Sequence, residues 1–227
     1  RYILTMPEAS LFLPEPMREQ LSGINGEQNE FSSIELYAPR GAPPPEGVGP
    51  AEMALLLQAI RQRRLIAYRF RTRNSDETVP GITLPWKLEY SAFDRRWWII
   101  LYDPGEKRTI KARLGNLLDI QLLGPAHIAE AEVRGALERL LEPEPVVLEV
   151  EQDRGALERC FLVFEGQMFL ETRQVDDRRC RLSFQYYRFD THEILRRLLY
   201  LGPMVTLLSP AKLKEGLLEL LDQALEA

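Results

Sequence analysis

From Pro50 to Leu123 the apolar positions recur first with helical spacing and then with the two-residue period of strands. Ala51–Arg64 is dominated by Ala, Leu, Met and Gln, follows Pro50, and sets Leu55, Ala59 and Ile60 on one face, which predicts a helix. Leu65–Thr72 alternates, with Ile66, Tyr68 and Phe70 on one side and Arg69 and Arg71 on the other. Thr78–Tyr90 is extended but interrupted by Pro80, Gly81 and Pro85, the pattern of an edge or bulged strand. Trp97–Asp103 is apolar almost throughout, so it must be covered on both faces, as in a small closed barrel. Pro104-Gly105 ends it, and Arg108–Leu123 supplies a last pair of short strands. One helix and about five short strands joined by tight turns outline a five-stranded barrel.

The pattern then changes. Ile128–Leu141 is an acidic helix stopped by Pro143 and Pro145. Val146–Glu151 (strand), Arg154–Phe164 (helix), Gln167–Gln174 and Arg179–Tyr187 (strands), Thr191–Leu201 (helix, capped by Thr191) and Met204–Leu208 (strand) follow in order. That is βαββαβ, the split-βαβ or ferredoxin-like arrangement. A final helix, Pro210–Ala227, is expected to start with Ser209 as cap and Pro210 at its first position. Upstream, residues 38–50 hold five prolines and three glycines and read as a linker. The predicted class is α+β: residues 1–50 a tail and Pro-rich linker, 51–125 the barrel, 126–145 a linker helix, and 146–227 the ferredoxin-like domain.

Charge sharpens the division. The net charge of −5 argues against a general nucleic-acid binder. Arg61–Leu117, however, carries thirteen Lys and Arg against six Asp and Glu, a balance of +7 that leaves −12 for the rest. A basic segment in an acidic chain suggests a surface meant for an anion. The competing reading is that these cations guard solvated strand edges against unwanted pairing. Cys160 and Cys180 have no metal-ligand spacing and read as buried residues of a cytoplasmic protein. No apolar run approaches a membrane span, so no membrane partner is expected. The chain starts at Arg1 without Met, which suggests a fragment of a longer protein.

Ile66 and Tyr68, Pro85 and Leu88, Trp97-Trp98-Ile99, Tyr102-Asp103 and Arg108 through Leu117 fall in an order that resembles the WYL domain. The βαββαβ unit, above all Leu201-Gly202-Pro203-Met204-Val205-Thr206-Leu207-Leu208-Ser209-Pro210, resembles the C-terminal extension (WCX) that often follows it. The resemblance spans residues 51–227. It implies an Sm-like, SH3-type barrel acting as the ligand-sensing module of a bacterial transcription regulator. The implied ligand is single-stranded nucleic acid or a nucleotide, and the implied assembly is a homodimer. Duplex DNA would be met only through an N-terminal winged helix-turn-helix, of which Arg1-Tyr2-Ile3-Leu4 resembles the last wing strand. A CRISPR- or defence-associated setting fits the same family. The chain departs from the closing family pattern, close to Arg-x-Phe-Arg-Leu-Asp-Arg-Ile. It reads Ile110-Lys111-Ala112-Arg113-Leu114-Gly115-Asn116-Leu117, with Asn116 in place of an arginine and Gly115 in place of an acid.

The candidate ligand-binding residues are Tyr68, Arg69, Arg71, Lys87, Arg108, Lys111, Arg113 and Asn116. Arg108, Lys111 and Arg113 lead, because their charge agrees with the position the family resemblance implies, and arginine's planar fork suits phosphate. Lys87 follows Trp86 in the irregular strand, where a bulge would aim it at a pocket. Trp97 and Trp98 alternate, one facing the barrel core and one its outer face, and both are expected to pack rather than stack on bases. No Gly-rich phosphate loop, nucleophile elbow or zinc motif appears, so neither an enzyme nor a cofactor is expected. The alternative is a dimerisation or docking module without a ligand of its own; a nuclease-like enzyme would need an acidic metal cluster the sequence does not offer.

Overall fold

The computed structural model of the protein describes residues 12–23, 48–72, 77–91, 93–94, 96–164, 166–167 and 169–226. The expected tail strand at Tyr2-Ile3-Leu4 and most of the Pro-rich linker lie outside them. The chain forms two compact units, Arg1–Val133 and Arg134–Ala227. Both are α+β, each built on one antiparallel sheet, of five and four strands respectively.

In the first unit, helix α1 (Glu15–Gly23) precedes helix α2 (Pro50–Gln62) and strands β1 (Arg64–Arg71), β2 (Thr78–Ser91), β3 (Arg96–Asp103), β4 (Arg108–Arg113) and β5 (Leu117–Pro125). Proline opens α2, and the Gly49 N–H donates to Glu52 Oε2 at 2.9 Å, so one otherwise orphaned donor near the helix start is met. The buried face of α2 is Met53, Leu56 and Ala59, with Leu55 packed beside it. It seals a core of Ile66, Ile99, Leu101, Ala112, Leu114 and Leu117.

The strand order is β4-β3-β2-β1-β5. The sheet does not close into the expected barrel: β4 and β5 are its two edges, with no ladder between them among the described residues. A single 3-10 turn, Leu114–Asn116, carries the chain from one edge to the other. Closure is not needed to keep water out, because α2 and not a fifth ladder covers the core.

β2 is a long, bulged strand shared between two neighbours. Its first half (Thr78–Thr83) pairs with β1 and its second half (Leu84–Ser91) with β3. Each half has one ladder neighbour, which is why Pro80 and Pro85, lacking N–H donors, fit in it. The expected bulge is present: Pro85 opposes Leu101 and Lys87 opposes Ile100, leaving Trp86 as the extra residue. Where β2 crosses β1, Gly81 sits opposite Tyr68, and a Cβ at Gly81 would lie 2.7 Å from the Tyr68 ring.

In the second unit, helix α3 (Glu130–Glu138) begins in the first unit and leads into β6 (Val146–Glu151), helix α4 (Ala156–Val163), β7 (Phe169–Asp176), β8 (Arg179–Phe184), helix α5 (Thr191–Leu201), β9 (Val205–Ser209) and helix α6 (Ala211–Leu225). The order β7-β8-β6-β9, antiparallel throughout, is the connectivity of a split βαβ. Val146, Leu148 and Val150 alternate into the core, and Phe164 and Phe184 meet at 4.7 Å between ring centroids. Two caps differ from expectation. Asp190 occupies the N-cap of α5, while Thr191, already helical, donates its hydroxyl to the Arg188 carbonyl at 2.8 Å. Ser209 ends β9, and Pro210 itself stands at the N-cap of α6.

The Tyr68–Gly81 contact gives a direct test. Gly81→Ala should destabilise the chain by roughly 1–3 kcal/mol, the range for forcing a methyl into packed surroundings. Gly124→Ala, with nothing within 4 Å of its added Cβ, should stay within about 0.5 kcal/mol of wild type in the same denaturant titration.

Candidate functional site

Register settles which of the candidate residues share a surface, because residues directly opposite in a ladder lie on the same face. Across β2, β3 and β4 one row reads Glu89, Trp98, Arg113 and the next reads Lys87, Ile100, Lys111. The bulge at Trp86 brings Lys87 and Glu89 onto this face; without it the alternation from Leu84, which opposes Tyr102, would turn them to the core side. The same alternation followed back along β2 sets Ile82, Pro80 and Thr78 on this face, and with them Ala67, Arg69 and Arg71 of β1. Five of the eight candidates, Arg69, Arg71, Lys87, Lys111 and Arg113, therefore lie on one side of the sheet.

At the centre of the β2–β4 part stands an acid that sequence reasoning passed over. Glu89 takes Lys87 Nζ at 3.0 Å through Oε1 and Lys111 Nζ at 3.3 Å through Oε2. Burial alone would raise the Glu89 carboxyl, but the charges of Lys111 and Lys87 and their hydrogen bonds more than offset it and hold it below its ordinary value. Lys111 is the deeper cation: its side chain is 10% exposed against 62% for Lys87, and its ammonium lies 5.5 Å from the centre of the Trp98 ring. The sequence held a signal for this arrangement. Lys87 and Glu89 are the only charged residues of β2 and stand two apart, hence on one strand face.

The remaining candidates are dispersed. Arg69 is exposed and donates through Nε to Thr78 Oγ1 at 2.9 Å, with Asp119 3.7 Å away. Arg71 is exposed at the end of β1. Because β1 lies between β2 and β5, the edge-guard reading does not apply to these two arginines; β4 is an edge, and there it does. Arg108 opposes Asp103 at the open end of β4, and Asn116 is half-buried in the 3-10 turn. Tyr68 lies on the core face with Ile66, against Gly81. Its phenol is raised by burial, with Thr83 pulling down and Asp103 pushing up.

The two tryptophans divide as alternation requires. Trp97 packs on the core side with Tyr90 (5.2 Å) and Phe12 (5.9 Å), while Trp98 lies under Lys111 on the basic face. Both indole N–H groups are buried without a hydrogen-bond partner among the described residues, so packing holds the rings. Farther along β3 on that face, beyond Ile100, Tyr102 is fully buried and its hydroxyl donates to Glu132 Oε1 at 2.6 Å. Arg63 makes a second tie to the same segment. It ends α2 in the left-handed region (φ 50), donates to the Ile128 carbonyl at 2.8 Å, reaches Glu130 at 3.5 Å and stacks 5.7 Å over Trp86. The bulged tryptophan and the start of α3 are thus linked through one guanidinium. Nothing local in the sequence announces this tie, since its partners lie about 65 residues apart.

Among the described residues no group of three or more His, Cys, Asp and Glu side chains converges as a metal site, and no helix is long and apolar enough to cross a membrane.

No known family profile matches the chain, and no curated protein matches it in sequence. Among solved structures it is similar to proteasome accessory factor B/C (PafBC) of Arthrobacter aurescens, with 18% identity and a TM-score of 0.31 over 72% of this chain and 25% of that one. It is also similar to a CRISPR Cas-related protein, with 10% identity and a TM-score of 0.47 over 77% of this chain and 51% of that one. The chain thus spans a quarter of the first and about half of the second, and likenesses at this level assign it no activity.

The Glu89 cluster predicts a pH signature. A carboxyl that ionises at lower pH in the folded chain contributes fully above the ordinary carboxylate range, and that contribution is lost as pH falls through its lowered value. Glu89→Gln should therefore cost about 1 kcal/mol at neutral pH. Denaturant midpoints of variant and wild type should converge in acid, below the lowered value.

Proposed function

We propose that this chain is the sensor region of a WYL-type regulator, non-enzymatic and cytoplasmic, whose five-stranded unit binds single-stranded nucleic acid or a nucleotide on the basic face. The fold reading rests on the ordered sequence resemblance. The strand order β4-β3-β2-β1-β5 with a shared, bulged β2 supports an Sm-like sheet, and the split-βαβ connectivity supports a ferredoxin-like extension.

The observation that carries the ligand reading is the convergence of Lys87, Lys111 and Arg113 around Trp98 on one sheet face, with Arg69 and Arg71 on the same side. Cations arranged in rows over an aromatic suit an anionic backbone. Glu89 sets the terms: it already neutralises part of the lysine charge, so an incoming phosphate must outcompete an internal carboxylate. That favours a ligand presenting several phosphates in series over a single anion. Ligand binding here would bear on the Arg63 and Tyr102 ties to α3 through Trp86 and β3. The second reading, an assembly module in a defence-associated protein, is favoured by an exposed edge strand in the second unit.

Binding of short single-stranded DNA and RNA across a salt series tests the ligand reading. Affinity should fall with salt, with a slope that loses about 0.7 for each phosphate contact removed. Lys111→Ala and Arg113→Ala should each weaken binding and flatten that slope. Glu89→Gln should tighten binding, because it removes the competing charge. Salt-insensitive binding, or none, together with no response to Glu89→Gln, would sink the proposal.

A further inference from the structure

The sheet of the second unit ends in β7, and Glu171 through Asp176 of that strand are all exposed. One side of β7 pairs with β8; the other has no ladder partner among the described residues. Edge strands are commonly guarded by like charge, proline or bulges. β4 in the first unit follows that rule with Arg108, Lys111 and Arg113. β7 does not. From Glu171 to Gln174 its pairing with β8 is regular, register shifts fall only on either side, and the segment holds no proline.

Its charges are self-complementary. An antiparallel pairing of β7 with its own copy about a two-fold axis at Thr172 sets Glu171 opposite the partner's Arg173, and Arg173 opposite the partner's Glu171. An axis between Thr172 and Arg173 would pair Glu171 with the partner's Gln174 and make no ion pair. An axis at Arg173 would set like charges against each other. Conditions inside the chain point to the same register. Arg173 lies directly opposite Arg181 in the β7–β8 ladder, a like-charge pair. Arg181 is answered on its other side by Glu149, whose Oε2 lies 3.3 Å from Nη2, and Glu149 also takes Arg179 at 2.9 Å. Arg173 has no acidic partner among the described residues. The partner's Glu171 would complete the row as acid, base, base, acid.

We infer that β7 is an interface at which two copies of this chain pair edge to edge, antiparallel about Thr172, joining two four-stranded sheets into one continuous sheet. This goes beyond the basic-face proposal and does not depend on it.

Sedimentation equilibrium of the full chain over a wide concentration range tests the inference. Wild type should show a monomer–dimer equilibrium. Glu171→Arg and Arg173→Glu should each weaken dimerisation by roughly tenfold, since two ion pairs become two repulsions. An equimolar mixture of the two variants should recover association, because each contact between unlike copies then pairs opposite charges. Both side chains are exposed, so the fold should be unaffected, which far-UV circular dichroism checks. Thr172→Cys should cross-link to its own copy on mild oxidation, since facing Cα atoms in such a pair lie about 4.5–5.5 Å apart. Gln174→Cys should not. A monomer at every concentration, or a dimer indifferent to the reversals, to mixing and to the cysteine position, overturns the inference.

Discussion

The first unit is organised by the need to bury β3 on both sides at once. Ile99, Ile100, Leu101 and Tyr102 are each at most 3% exposed, so neither face of that strand can be left to water. Helix α2 meets the requirement on the Ile99 and Leu101 side with Met53, Leu56 and Ala59. On the other side the start of α3 is tied down by Tyr102 and Arg63. What remains is the stretch of the second face around Trp98, and there the chain places its cations. Burying the tyrosine required a partner for its hydroxyl, and Glu132 supplies it. The interaction that completes the burial therefore also fixes the segment leading into the second unit.

Much of this was legible from period alone. The alternation of β1, the apolar run of β3, the bulge near Trp86 and the βαββαβ order all follow from local pattern and from where proline is tolerated. Sheet closure was not legible, because a five-strand pattern is the same for an open and a closed sheet; the difference lies in whether α2 or a β4–β5 ladder covers the core. The caps were misplaced by one residue at Thr191 and Ser209, where a 3-10 turn and a strand end compete for the residue that composition assigns to the helix. Among site residues the cations were visible as a local excess of charge. Their neutralisation by Glu89 depends on β2–β3–β4 register, and only the spacing of Lys87 and Glu89 hinted at it.

That neutralisation decides how the basic face should be weighed. Lys87 is largely exposed, and its pairing with Glu89 is screened by water, so that pair contributes little to stability. Lys111 is nearly enclosed between Glu89 and the Trp98 ring, where its charge is felt more strongly and costs more to leave unpaired. A ligand phosphate that reached Lys111 would meet a cation already desolvated and oriented, with Arg113 in the neighbouring row. Any anion reaching this face would have to displace or share with the Glu89 carboxylate.

The two sheets use charge at their edges in opposite ways, and the contrast bears on how the chain meets other molecules. β4 gathers cations of one sign on a six-residue strand, an arrangement that repels a second copy of itself and attracts a polyanion. β7 alternates acid and base across a regular segment, an arrangement that is neutral to a polyanion and attractive to its own copy. Like charges facing each other inside one chain, as Arg173 and Arg181 do, are eased by a counter-charge in the same row. Glu149 completes it on one side. On the other side the sequence places Glu171 two residues before Arg173, a spacing that leaves the acid on the same strand face but in another row of its own chain, and brings it into that row only when a second copy runs antiparallel alongside.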